Sequence, residues 1–189
     1  MSTDIKVTTE VLWRGAVIFA LIDLVFVLIL RSRVKAEVFR QCKWRLVITT
    51  GVFWFLLLLI MMSALFWESV YGYLFPGWAR WLIPPVYGVL FAAMGLLFWW
   101  LACRLPGNAV VNWCLLGGLW GMVTHIWAIY RGILEKPPML QGASPVATAI
   151  MPIFEFMFYY CVILSITVVH RRIGQRWSGS KRSMPPQEP

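Results

Sequence analysis

Three ionisable side chains, Asp23, His125 and Glu155, lie within long apolar runs of this sequence. If those runs cross a bilayer, inserting each group costs about 2.5 to 3.5 kcal/mol, so each needs a partner or a function. A carboxyl or imidazole group in an apolar interior can bind the polar part of a ligand, take up and release a proton, or act as a general acid. Arg14 and Glu68 lie nearer the ends of their runs, where a side chain can reach the interface and no site is required.

Glu155 has a candidate partner on its own helix, because Tyr159 follows four residues later. That spacing puts the two side chains on one helix face, where the hydroxyl can donate a hydrogen bond to the carboxylate. Pro152 lies three residues before Glu155, removes one backbone hydrogen bond and frees a carbonyl nearby. A helix opened beside a carboxylate can line a polar cavity, but membrane helices also contain prolines where no site exists. Both interpretations remain open.

His125 shares a helix face with small residues. Gly117 and Gly121 precede it at intervals of four, and Gly118 lies beside them. Small residues let the backbones of two membrane helices approach closely. We therefore predict that Gly117, Gly118 and Gly121 serve helix packing.

The predicted depths of His125 and Glu155 are similar. In helices over 110–134 and 146–169, both residues lie about 13 Å below the same membrane boundary, at 1.5 Å per residue. A short connection favours neighbouring helices, so the two side chains can meet. Either they satisfy one another and fix the packing, or they serve proton transfer, ligand binding or catalysis. Asp23 lies deeper, at about 20 Å.

The elements that must position these groups are transmembrane helices. Of 189 residues, 60% are hydrophobic and only 13% are charged, whereas about a quarter of the residues of a soluble domain are charged. The apolar residues form blocks long enough to cross roughly 30 Å of hydrocarbon. The sequence therefore predicts an all-α, polytopic membrane bundle of about five helices in a single domain over 1–170, with a basic cytoplasmic tail over 171–189 that we expect to be disordered. The predicted helices cover 11–30, 46–67, 81–103, 110–134 and 146–169.

The distribution of basic residues predicts the orientation. Five spans place the termini on opposite sides, and twelve Lys and Arg residues fall on the side that holds Arg31 to Arg45, Arg104 and Arg171 to Arg182. Four Lys and Arg residues fall on the other side. The positive-inside rule then predicts an outer N-terminus and a cytoplasmic C-terminus, in a bacterial inner membrane. The candidate groups His125 and Glu155 fall in the outer half.

The net charge of +9 indicates a lipid partner and not a nucleic acid. The basic clusters Arg31 to Arg45 and Arg171 to Arg182 directly flank apolar spans, where anionic headgroups are the expected partner. The first cluster also contains four apolar side chains at approximate helical spacing: Val34, Val38, Phe39 and Cys42. It is either a solvated orientation signal or a short amphipathic segment lying on the membrane surface.

The sequence lacks the motifs of several common enzyme and cofactor sites. There is no phosphate-binding glycine loop, no nucleophile elbow and no HExxH motif. With two histidines at different depths, the chain offers no bis-histidine haem site, and its four cysteines form no CxxC pair. The sequence predicts no cofactor and no metal site.

The hypothesis that best fits these features is an integral inner-membrane protein that binds or passes a small hydrophobic ligand or a proton. Glu155 and His125 are its central residues, with Asp23 and Tyr159 as accessory groups. Two alternatives stay open. One is a membrane-embedded enzyme with isomerase-like or cyclase-like acid-base chemistry on a lipid-soluble substrate, and the other is an accessory subunit or homo-oligomer whose aromatic and small faces are protein contacts.

Overall fold

The computed structural model describes residues 8–62, 75–133 and 143–182, with side chains described as far as Gly174. Within these ranges the chain forms helices and no strand. Five of the helices are long and apolar enough to cross a membrane, counting the Pro145–Gly174 part of the last one. This confirms the prediction of an all-α chain with five helices of spanning length. The helices are α1 (Thr9–Arg33), α2 (Ala36–Gln41), α3 (Lys43–Met61), α4 (Ala79–Arg104), α5 (Ala109–Tyr130) and α6 (Pro145–Arg182).

Local backbone chemistry sets the helix ends. The Asn108 side chain caps the start of α5 by accepting hydrogen bonds from the backbone N–H groups of Val110 and Val111. Gly132 ends the same helix with a φ of +63°, and Ile133 N then donates to the Ala128 carbonyl, the bonding pattern of a glycine C-cap. As a result, α5 ends at Tyr130 and not at 134.

Other predicted boundaries differ as well. α6 continues to Arg182, so part of the tail that was expected to be disordered is helical. The predicted end of the second span at 67, together with Glu68, lies outside the described residues.

α6 is the central helix of the bundle. It packs along α1 and α5 and also contacts α3, whereas α3 packs mainly against α4. Among the described residues, α1 and α3 form no extensive interface with each other. At one end of α4, the Arg80 Nε donates to the Met62 carbonyl at 2.6 Å, which joins the end of α3 to the start of α4.

The packing of α5 on α6 depends on close backbone approach. A Cβ atom added at Gly118 would lie 2.7 Å from the Ile153 carbonyl oxygen, and one added at Gly121 would lie 2.7 Å from that of Pro152. At Gly117, the ring of Tyr160 occupies the space that a side chain would need. All three glycines therefore lie where α6 leaves no room for a side chain.

The basic segment between α1 and α3 packs into the protein. Phe39 and Cys42 are fully buried and Val34 is nearly so. Arg171 of α6 donates to the Val38 carbonyl at 3.2 Å and to the Gln41 side chain at 2.5 Å. The apolar side of the segment thus faces the helix bundle, while most of its basic side chains are exposed.

We expect Gly118→Ala to destabilise the folded bundle by about 1 to 3 kcal/mol, because the Ile153 carbonyl is backbone and cannot move aside as a flexible side chain would. The measurement is the thermal unfolding midpoint in detergent. Gly174→Ala is the matched control: it is also a helical glycine, but nothing lies within 4 Å of its added Cβ. There the gain in helix propensity should hold or raise stability. Equal shifts in the two variants would contradict the close-packing argument.

Candidate functional site

Glu155 and Tyr159 form a hydrogen-bonded pair on α6. The Tyr159 hydroxyl donates to Oε1 of Glu155 at 2.5 Å, and both side chains are half-buried. The helix is continuous through Pro152, so the four-residue spacing holds the two groups on one face. At 1.5 Å per residue, Glu155 lies about 15 Å from the start of its helix, within the spanning part.

Aromatic rings from two other helices surround this pair. On one side, Tyr159 packs against the α3 side chains Phe53 and Trp54, with ring centroids 5.8 and 5.6 Å away. On the other side, Phe158 packs against Phe19 of α1 at 5.6 Å. Tyr159 therefore marks the α3 side of α6, and Phe158 marks its α1 side.

The direction of Glu155 follows from these two neighbours. At 3.6 residues per turn, Glu155 projects from α6 between them, about 60° from Phe158 and about 40° from Tyr159. Its carboxyl group thus points towards the space between α1 and α3, the two helices that share no extensive interface among the described residues. This half-buried carboxyl therefore lies between the side of α6 that packs on α1 and the side that packs on α3.

His125 lies on the other side of Phe156 from this pair. Its Nδ1 lies 2.9 Å from the Gly121 carbonyl oxygen. Because a carbonyl oxygen can only accept a hydrogen bond, Nδ1 carries a proton. Nε2, the other ring nitrogen, takes no part in this bond. The Phe156 ring is 6.1 Å from the His125 ring and 5.8 Å from the Tyr159 ring.

The direct contact between His125 and Glu155 that the sequence allowed is not made. Within the described ranges no hydrogen bond or ion pair joins them, although the charge of Glu155 acts on His125. Their depths also differ, because Gly132 ends α5 early. His125 lies about 8 Å from the end of its helix, compared with about 15 Å for Glu155.

Asp23 belongs to a different part of the bundle. It is 1% exposed, and within the described ranges neither carboxylate oxygen has a hydrogen-bond partner. Its charge acts on the thiol of Cys114, whose Sγ lies 3.4 Å from the Sγ of Cys161. Asp23 therefore lies near Cys114, one of two buried free thiols in contact between α5 and α6, and in the described ranges it makes no hydrogen bond or ion pair with Glu155 or His125.

Sequence reasoning missed the thiol pair and the aromatic surroundings of Glu155. Cys114 lies on the small-residue face of α5, and Cys161 follows Tyr160, the residue that covers Gly117. On α6, Cys161 lies at helical spacing from the large residues Met157, Phe158 and Leu164, so no small-residue pattern there points to the pair. No such pattern identifies Phe53 and Trp54, because apolar residues surround them on α3. No group of three metal-ligating side chains comes together in the part of the chain that the structure describes.

We expect Asp23→Asn to keep the protein folded and to hold or raise its thermal unfolding midpoint. An unpaired buried carboxylate costs several kcal/mol, and asparagine keeps the shape without the charge. The reciprocal control is Asn112→Asp, because the Asn112 amide donates towards the carbonyl oxygens of Leu105 and Pro106. At position 112 a carboxylate would face these carbonyl oxygens and be repelled by them, so the thermal unfolding midpoint should fall. If Asp23→Asn destabilised the protein as strongly as Asn112→Asp, Asp23 would have to be paired.

No protein-family model matches this chain, and the comparisons with curated proteins and with solved structures find no match either. Its function is therefore argued from the site itself.

Proposed function

We propose that this chain is an integral inner-membrane protein that binds, or passes through the bundle, a small hydrophobic ligand or a proton at Glu155. One observation carries the proposal: the Tyr159 hydroxyl donates a hydrogen bond to a half-buried carboxyl group inside a membrane-spanning helix. Ionisable groups in such helices are costly, and those that face the interior of a bundle are usually functional.

The shape of the surroundings supports a ligand that has an apolar body and one polar group. Phe53, Trp54 and Phe156 present rings around Tyr159, and ligand sites commonly combine such apolar walls with a few polar groups. Since Tyr159 already donates to one oxygen of Glu155, the second oxygen can accept from a hydroxyl, amide or ammonium group of the ligand. Glu155 lies between the α1 and α3 sides of α6, so we infer that such a molecule enters from the lipid between these two helices.

The orientation in the proposal rests on charge. Arg31 to Arg45, Arg104 and Arg171 all lie at one end of the bundle, which we call the basic end. The positive-inside rule favours a cytoplasmic basic end and an outer N-terminus. Glu155 and His125 then belong to the outer half of the membrane.

The same pair supports a second candidate, an enzyme that acts on a lipid-soluble substrate. A hydrogen-bonded carboxyl group beside aromatic faces can donate a proton while the rings stabilise a developing cation. Chemical conversion of a co-purified lipid by the isolated protein would favour this candidate. Retention of the lipid unchanged would favour the binding protein.

We expect Glu155→Gln to co-purify with about tenfold less ligand than the unmodified protein, or less still. The reason is that a hydrogen bond to a charged group is worth about 1.5 to 3 kcal/mol. The protein is extracted from its membrane in mild detergent, and the small molecules that co-purify are quantified by mass spectrometry. For the proton, vesicles containing the protein and an entrapped pH-sensitive dye measure uptake under an imposed potential. Tyr159→Phe should weaken both signals, and so should His125→Ala.

Glu10→Gln is the matched control, because Glu10 pairs with Arg14 at an exposed position on α1. It should bind and transport as the unmodified protein does. Circular dichroism and gel filtration in detergent establish that each variant is folded. If folded Glu155→Gln, Tyr159→Phe and His125→Ala retained the same ligand and the same proton uptake, the proposal would be wrong.

A further inference from the structure

A second feature that could bind a ligand lies at the basic end of the bundle, far from Glu155. A cavity of about 120 Å³ opens between the α1–α2 turn, the end of α4 and the start of α5. That volume holds several water molecules and is therefore large enough for a phosphate group. Its lining includes Val34, Arg40, Ala102, Cys103, Asn108 and Val110.

The lining has an apolar floor and one cationic wall. Val34, Ala102 and Val110 are almost completely buried and form the floor. Arg40 belongs to the wall, where its charge acts on the neighbouring Cys103 thiol. A thiol is a weak acceptor, whereas a guanidinium carries five N–H donors arranged for a phosphate or carboxylate. Most of the donor capacity of Arg40 is therefore open to a ligand.

Among the residues that the structure describes, no carboxylate neutralises Arg40. Glu10 and Arg14 form the ion pair seen in the described ranges, and Arg40 has no acidic partner there. Glu37, on the same short helix, is exposed and makes no ion pair with it in these ranges.

Three other basic side chains at this end are engaged elsewhere. Arg171 donates to Val38 and Gln41. Arg104 lies over the Trp100 ring at 4.5 Å, and Lys43 lies over the Trp99 ring at 5.2 Å. Arg40, in contrast, is the basic residue that lines this cavity.

The location of the cavity indicates where the anion comes from. Tryptophan rings that pack beside cations are typical of the membrane interface, and Trp99 and Trp100 lie on α4 just before the cavity residues Ala102 and Cys103. Leu105, which also lines the cavity, is 43% exposed and can lie against acyl chains. A headgroup in this leaflet is thus level with the opening.

We propose that this cavity binds the phosphate group of an anionic phospholipid through Arg40. The proposal is independent of the Glu155 site, because it uses other residues, at the basic end of the bundle. The proposal does not depend on the N-terminus of α5, because Asn108 already accepts hydrogen bonds from two of the first N–H groups of that helix.

Cys103 provides a reporter inside the cavity. It is half-buried, whereas Cys42, Cys114 and Cys161 are buried. The full-length protein is placed in nanodiscs of phosphatidylcholine with or without phosphatidylglycerol, and the rate at which a maleimide labels Cys103 is measured by peptide mass spectrometry. Phosphatidylglycerol should slow labelling in the unmodified protein, and Arg40→Gln should reduce that protection about tenfold.

Arg45→Gln is the matched control, because it removes one exposed positive charge from the same end outside the cavity. It should keep the protection. Arg40→Lys, which keeps the charge but loses the planar group, should give an intermediate result and serves if the glutamine variant does not fold. If Arg40→Gln and Arg45→Gln lost the protection of Cys103 to the same extent, the protection would come from general charge attraction. The proposal would then be wrong. The lipid assignment would also be overturned if inorganic phosphate in pure phosphatidylcholine nanodiscs protected Cys103 as well as phosphatidylglycerol does.

Discussion

The backbone contact between α5 and α6 determines how the rest of this bundle is arranged. In a bilayer the lipid tails are as apolar as the side chains, so helices associate through close packing and interhelical hydrogen bonds and not through the hydrophobic effect. Gly118 and Gly121 allow the carbonyl groups of α6 to approach α5 directly. One hydrogen bond reinforces the contact, from the Trp113 Nε1 to the Tyr160 carbonyl at 3.1 Å. The rotation of α6 about its axis is therefore fixed by glycines and by this tryptophan hydrogen bond, and not by Asp23, His125 or Glu155.

That rotation separates the three ionisable groups. Because the glycine contact uses the face of α6 that carries Ile153 and Pro152, Glu155 turns towards α1 and α3 and away from His125. Phe156 lies at the boundary between the two directions, with its ring next to both His125 and Tyr159. Two groups on neighbouring helices can thus share a half of the membrane without forming a pair.

The sequence predicted what depends on local spacing and missed what depends on packing. Length and hydropathy were sufficient for the five spanning helices, and the four-residue spacing was sufficient to place Tyr159 beside Glu155. The early end of α5 depends on the positive φ of Gly132, a backbone property that hydropathy does not report. The burial of Phe39 also escaped prediction, because its segment was interpreted by its many charges. The thiol near Asp23, that of Cys114, lies on α5 and far along the chain, and no pattern on α1 alone identifies it.

The contrast between Asp23 and Glu155 shows where the bundle is weakest. Glu155 is half-buried and hydrogen-bonded, whereas Asp23 is fully enclosed and unpaired in the described structure, so only Asp23 imposes an uncompensated cost on the docking of its helix. α1 is held by apolar contacts such as Phe19 with Phe158, and many of its large side chains face outward. The segment of a protein with few stabilising contacts is the one that opens at the lowest free energy. We expect that segment to be α1, which packs mainly on α6 and lies beside the face of α6 that carries Phe158 and Glu155.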